Sequence, residues 1–413
     1  MTEDAVKAGE QPWRGPGLRE FVVMMAALMA SNALATDVML PALPAIVASL
    51  HVGHDNDRQL IIIFFLIGFG LAQFVYGPLS DRFGRKPILV WALVGYFAFA
   101  LLSAFASSFA LLLAARTLNG AAAASSRVLV VSIIRDRYQG ETMARIMSFA
   151  GIFFMLVPVL APSIGQAVLA VASWRYIFIL LALYALVVGV WAALRLPETL
   201  PPARRRPLSL DKVREAVAAT LTHRLSIGNT VAGTLIFGAL IGYLSSIQQI
   251  VFDVFHRPDS MPIIFAFTAA AIALGSYLNS RLVEAYGSRR IMLVALGIFV
   301  GATSAHLAVT LLLGENLFAF VILQALSMAC FGFIFSNLAS IAMAPLGHIA
   351  GTASSVQGAI TTLGGALIGR VIGQYFNGTT IPLSTGFVLC GISALLLAIW
   401  VNRGENVRTA PTR

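Results

Sequence analysis

The chain has 413 residues, 58% of them hydrophobic and only 11% charged, with a mean hydropathy of +0.85. That composition excludes a soluble domain and implies an integral membrane protein. The net charge of +10 does not imply a nucleic-acid partner. All but six of the 28 Lys and Arg fall in segments read as facing the cytoplasm, which is the asymmetry that orients membrane helices. The exceptions are Arg58, Arg175 and Arg257 in the opposite loops, and Arg116, Arg127 and Arg370 within spans.

Apolar runs predict twelve spans, near 20–40, 58–77, 87–106, 109–133, 146–170, 174–196, 226–250, 261–280, 290–312, 317–343, 350–376 and 382–402. Roughly 20 residues rising about 1.5 Å each match a hydrocarbon core of about 30 Å. The first run follows a polar start without a small-residue cleavage site, so it reads as a retained helix. An even count and a basic start place both termini in the cytoplasm. The polar stretch 197–224, with Arg204-Arg205-Arg206 and Asp211-Lys212, divides a six-helix half at 1–196 from another at 225–413. The fold class expected is all-α integral membrane, two six-helix pseudo-repeats.

In the first span Asp37 lies sixteen residues past Phe21, about 24 Å along the helix. It reads either as a carboxylate near the outer interface or as a protonatable group in a solvated cleft. Between the second and third spans stands Gly77-Pro78-Leu79-Ser80-Asp81-Arg82-Phe83-Gly84-Arg85-Lys86-Pro87. Gly77 and Pro78 are expected to end the second helix, and Gly84 to let the chain turn. Shifting by 203 residues sets Asp81 on Glu284, Phe83 on Tyr286, Gly84 on Gly287 and Lys86 on Arg289. That degenerate second copy is the trace of the internal repeat, and two such halves suit alternating access.

Arg116, in the fourth span, has a depth within about one turn of Asp37, and Arg127 follows eleven residues later on nearly the same face. Arg127 reads equally as a snorkelling cation or a substrate contact. Arg370, near a helix end, reads as snorkelling. Gln73, Asn119, Tyr243, Gln248, Gln324 and Asn337 are candidates either for a substrate cavity or for hydrogen bonds between helices. Pro158, Pro162 and Gly165 should bend the fifth span. Gly365, Gly369 and Gly373 in the eleventh, with Gly238 and Gly242 in the seventh, form small-residue stripes that admit a neighbour. Cys330 and Cys390 give no disulfide framework, the six histidines show no metal-ligand spacing, and no nucleotide-binding loop is present. No enzyme and no cofactor other than a proton gradient is expected.

The loop Gly77–Pro87 resembles that between helices 2 and 3 of the major facilitator superfamily. The chain as a whole is similar to the bicyclomycin and chloramphenicol resistance branch of its twelve-helix drug:proton antiporters. The likeness rests on Asp37-Val38-Met39-Leu40-Pro41-Ala42-Leu43-Pro44, Arg116-Thr117-Leu118-Asn119-Gly120, Pro158–Gly165, Trp174-Arg175-Tyr176-Ile177-Phe178 and Ala350–Ser354. Departures are Asn119 where the family has Gln, Gln166 where a second glycine often stands, and no second acid at Leu28–Ala30. The resemblance implies Asp37 and Arg116 in proton coupling. It also implies Asp81 beside the N-terminus of the eleventh helix near Gly351-Thr352, and Arg85 against Asp136, as a latch between halves. The function implied is proton-coupled export of small apolar or amphipathic compounds such as chloramphenicol-like antibiotics, by a monomer in the bacterial inner membrane. The alternative is a proton-linked transporter of a sugar or organic anion. Partners expected are the substrate, protons and the lipid bilayer.

Overall fold

The computed structural model describes residues 15–138, 140–205 and 210–403. Arg206 and both termini lie outside that set, as do the side chains of Arg204, Asp211 and Lys212. Helices α1 (Leu18–Asp37), α2 (Leu43–Ser49), α3 (Leu60–Phe83), α4 (Arg85–Ala104), α5 (Phe109–Arg137), α6 (Gly140–Val171) and α7 (Arg175–Arg195) come first. A linker helix α8 (Leu210–Thr222) leads to α9 (Arg224–Gln249), α10 (Met261–Tyr286), α11 (Ser288–Leu313), α12 (Leu317–Met343), α13 (Ala350–Gln374) and α14 (Ile381–Asn402). Among the described residues there is no strand. Among the described residues eleven segments are long and apolar enough to cross a membrane, and α6 adds the apolar stretch Val157–Val171.

Local chemistry sets the boundaries. The first crossing breaks after Asp37 into a 3-10 turn at Leu40–Ala42 before α2, because Pro41 and Pro44 lack the N–H that a continuous helix needs. Ser108 and Asn316 cap α5 and α12 by accepting from the N–H of Leu111 and Ala319. The expected stop at Gly77-Pro78 does not occur: α3 runs through both residues to Phe83. Only Gly84, at φ 102°, breaks the chain before α4 starts at Arg85. Its repeat partner Gly287, at φ 76°, separates α10 from α11 in the same way. A side chain is strained in that backbone region, so glycine makes the one-residue turn.

The helices α1 and α3–α7 pack chiefly among themselves, as do α9–α14, and the two groups meet along α3 with α13 and α6 with α10. Close approach depends on missing side chains. A Cβ on Gly120 of α5 would overlap the Phe65 carbonyl of α3, and one on Gly68 of α3 would overlap the Thr117 carbonyl of α5. The second group repeats the device with Gly275 of α10 against Ala329, and Gly332 of α12 against Ile272. The stripes on α9 and α13 face each other, Gly365 and Gly369 taking Phe237 and Ile241 while Gly238 and Gly242 take Ile368 and Ile372. Gly120→Ala is therefore expected to cost about 1–3 kcal/mol by overpacking against backbone, read as a lower thermal midpoint in detergent.

At the end far from the linker, the start of α3 is tied to the other group. Arg58, 6% exposed, donates to Gln248 (2.8 Å) and pairs with Asp253 (2.9 Å). The Gln59 amide donates to Gln249 (2.7 Å) and to the Gly373 carbonyl (2.9 Å). Asn56 donates to the carbonyls of Gln374 and Phe376 and accepts from Gln249. A Cβ on Gly373 would overlap the Gln59 amide, so that glycine admits the bond.

Candidate functional site

Two cavities of about 200 Å³ each lie between the helix groups. The one nearer the far end is lined by Asn32, Thr36 and Asp37 of α1, Pro158 of α6, Tyr243 of α9, and Phe265 and Thr268 of α10. Asp37 is the one charged side chain on its wall, 4% exposed, and no cation pairs with it among the described residues. The Tyr243 hydroxyl is shared with Thr268 at 2.7 Å, and the Asn32 side-chain oxygen has no hydrogen-bond partner. An uncompensated charge among apolar groups is costly, so this is where arrival of a proton or a cation changes the local energy most.

Arg116 comes near that site without pairing with Asp37. Fully buried, it donates to the carbonyl of Ala35 (2.9 Å), the carbonyl of Ile61 (3.3 Å) and Asn119 Oδ1 (3.2 Å). Its guanidinium lies 4.4 Å from the Phe65 ring centre and 5.7 Å from that of Phe178. Ala35 belongs to the last turn of α1, where carbonyls lack helix partners, so Arg116 closes the helix end from which Asp37 projects. Two further donors bond the same helix at four-residue intervals. The hydroxyl of Tyr184 donates to Ala27 (2.6 Å) and that of Tyr96 to Ser31 (3.1 Å). Ala27, Ser31 and Ala35 form one stripe of carbonyls, and three side chains from α4, α5 and α7 hold it. Neither tyrosine was singled out by sequence, since an aromatic residue in an apolar run carries no signal of its partner.

The other polar candidates are distributed differently. Asn119 is occupied by Arg116 and the Tyr96 carbonyl (3.1 Å). Asn337 donates to Asn279 (2.6 Å) between α12 and α10. Gln73 donates to Thr362 (3.1 Å) across the α3–α13 contact. None of these three lines either cavity, whereas Tyr243 does. Gln248 serves the far-end network, Gln324 is buried with its amide nitrogen unpartnered, and Arg370 is exposed. Pro158 lines the Asp37 cavity, Pro162 is buried, and Gly165 abuts the Val38 carbonyl just past Asp37.

The second cavity, towards the linker end, holds Arg127, exposed on its wall, with Asn229, Thr230, Gln357 and Thr361 among its polar neighbours. Phe237 lines both cavities, with Phe331 on one side and Phe335 on the other. Their ring centres are 5.9 Å (Phe237–Phe335) and 5.4 Å (Phe331–Phe335) apart.

At the Gly84 turn, Arg85 is 5% exposed and bonds Asp136 (3.0 Å), Asp81 (2.6 Å) and Ser80 (2.6 Å). Gly77 packs near Ser355 of α13, and a Cβ on Gly351 would meet the Arg135 guanidinium. Glu198, which sequence reasoning passed over, accepts from the backbone N–H of Arg85 (2.9 Å), Lys86 (3.3 Å) and Leu200 (2.9 Å). It thus caps α4 with a carboxylate, matching the positive helix end. Its only sequence signal is a lone acid immediately after the α7 span.

A family model described as Major Facilitator Superfamily matches residues 25–369. The "Uncharacterized MFS-type transporter YdgK" of Bacillus subtilis is 29% identical over 367 residues, 87% of this chain and 89% of that relative. The "Multidrug resistance protein MdtL" of Salmonella heidelberg is 28% identical, covering 94% and 97%. The "Bicyclomycin resistance protein homolog" of Haemophilus influenzae is 25% identical, covering 91% and 94%. In fold, the chain matches the human organic anion transporter MFSD10 with a TM-score of 0.68 at 18% identity, over 94% of this chain and all of that one. A bacterial homologue of the human lysosomal transporter Spinster gives 0.69 at 16% identity, over 95% of each.

Proposed function

Because this chain belongs to the major facilitator superfamily and is a multi-pass membrane transporter, we propose that it exports small apolar or amphipathic compounds from a bacterial cell in exchange for protons. The observation that carries this reading is Asp37, the lone charge on an otherwise largely apolar cavity wall between the two helix groups. The names of the MdtL and bicyclomycin-resistance relatives support efflux of drugs in general. On this reading residues 1–196 and 225–413 rock about the cavities, with 197–224 as a cytoplasmic connection and the Arg58–Gln59 network closing the periplasmic side. A proton reaches Asp37 from outside as compound leaves, and its release inward resets the site. Arg116 acts through Ala35 and holds the α1 end in position.

Asp81 and Arg85, with Gly77, Gly84 and Asp136, serve on this reading as the latch that opens and closes the cytoplasmic side. Asp81 has a side chain 44% exposed and shares Arg85 with Asp136, which suits it to change partners between states. Asp81→Asn is expected to slow transport about two- to fivefold, the worth of one half-exposed carboxylate–guanidinium contact with Arg85, while insertion stays normal. Export rate at matched membrane abundance measures this, and an unchanged rate overturns it.

The function itself is tested in energised inside-out vesicles with a pH-sensitive dye and a panel that includes chloramphenicol and apolar cations and anions. Exchange of an exported compound for protons dissipates the interior acidity. If none does so, but a labelled sugar or organic acid moves independently of pH, the antiport reading fails.

A further inference from the structure

Resting on the transport reading above, we propose that the linker-end cavity binds the carboxylate or sulfonate of an amphipathic organic acid through Arg127. Among the described residues, Arg127 is the one charged residue on that cavity's wall. It is exposed there, and among the described residues no hydrogen bond, ion pair or ring contact engages it. Arg116, by contrast, makes three hydrogen bonds and lies against the Phe65 and Phe178 rings. A guanidinium inside a membrane-spanning bundle without a partner is expensive unless water or an anion completes it.

The other polar groups on the wall are uncharged, and several are engaged with the protein itself. Gln357 spends its amide hydrogens on Ser226 Oγ (3.0 Å) and the Ala342 carbonyl (3.1 Å). Asn229 donates to the Leu225 carbonyl (2.8 Å), and the hydroxyls of Thr230 and Ser354 donate to the carbonyls of Ser226 and Gly351. Among the described residues no carboxylate lines the cavity, so a cationic ligand meets no opposite charge from them. An oxyanion meets the fork of Arg127, whose parallel N–H groups suit a carboxylate or sulfonate in bidentate contact. The remaining wall, with Phe237, Phe335, Leu338 and Met343, is apolar and takes the ligand's body. The site therefore selects an anionic head on an apolar frame, and Phe237 stands between that site and the Asp37 cavity.

The test uses the full chain, purified in a neutral detergent, with unfolding followed by a dye that reacts with thiols. Cys330 and Cys390 are both buried and free, so they report unfolding. The probes share one ring system: 2-naphthoate, 2-naphthamide and 2-naphthylmethylammonium. Naphthoate is expected to raise the thermal midpoint and the other two are not. Arg127→Gln should not lower the unliganded midpoint, because the side chain has no described partner to lose. It should weaken half-saturation by naphthoate about tenfold or more, the worth of a charge-assisted contact. Arg127→Lys should retain part of the response. No response of the wild type to naphthoate, an equal response to the amide, or a wild-type response in Arg127→Gln each overturns the proposal. Dihexanoyl phosphatidylglycerol separates a lipid head group from an organic acid. A larger response to it than to naphthoate, lost in Arg127→Gln, makes the lipid the ligand and also overturns the proposal. Asp37→Asn should bind naphthoate as the wild type does. Naphthoate binding by a wild-type protein that shows no proton exchange would leave this site standing while the antiport reading falls.

Discussion

Asp37→Asn is expected to abolish compound-driven proton movement in inside-out vesicles while leaving the protein folded. The substitution keeps the size of the side chain and removes its ability to carry a proton. The cavity it faces is lined mostly by apolar groups, and among the described residues no cation depends on the carboxylate, so none of them is stranded. Thermal midpoint and membrane abundance should therefore match the wild type. Each coupled charge contributes about 2.3 kcal/mol per 100 mV, enough to sustain a concentration ratio of roughly 50-fold. Without that coupling, the ratio reached by an uncharged compound should fall to about one, whatever the gradient. Asp37→Glu should recover part of the exchange, because the proton carrier returns displaced by one methylene. Full proton exchange by a well-folded Asp37→Asn protein would remove Asp37 from the mechanism and leave the cavity as a binding site only.

The second large effect is expected at Arg116, and it is a loss of stability before it is a loss of transport. Arg116→Met keeps much of the volume but removes three hydrogen bonds and two ring contacts at a fully buried position. It strands Asn119 Oδ1 and the Ala35 carbonyl, the latter in the last turn of α1 where no backbone N–H replaces the donor. Losing charge-assisted bonds to buried acceptors costs on the order of 3–5 kcal/mol. The measurement is the thermal midpoint of the purified variant, together with its yield in the membrane. Arg116→Lys should recover little, since one ammonium does not reach three acceptors on α1, α3 and α5 at once. A variant as stable as the wild type would mean that α1 is held well enough by its other contacts, among them Tyr96, Tyr184 and the Glu20–Arg195 pair.

Much of this architecture is written in the chain. The lengths of the apolar runs fix how many times it crosses the bilayer, because no other structure satisfies the backbone in hydrocarbon. The repeat of acid, aromatic, glycine and cation fixes the two matching turns, since only glycine takes φ values of 102° and 76° at Gly84 and Gly287 without strain. The depth of Asp37 and Arg116 in the spans was legible, whereas their burial came only with the packing. What the polar residues between them do was decided only by tertiary structure. Asn119, Gln73 and Asn337 are spent on contacts between helices, Tyr243 opens onto a cavity, and Arg116 seizes a carbonyl two residues short of Asp37. The helix stop expected at Pro78 failed because the missing N–H falls near the end of α3, where the chain packs on α13 and the turn is set by Gly84 instead. The physical reason is common to all of these. A helix that is apolar all round is equally content against lipid or against another helix, so its sequence sets its depth but not its rotation. Rotation is set by which glycines let which backbones touch, and that depends on partners hundreds of residues away.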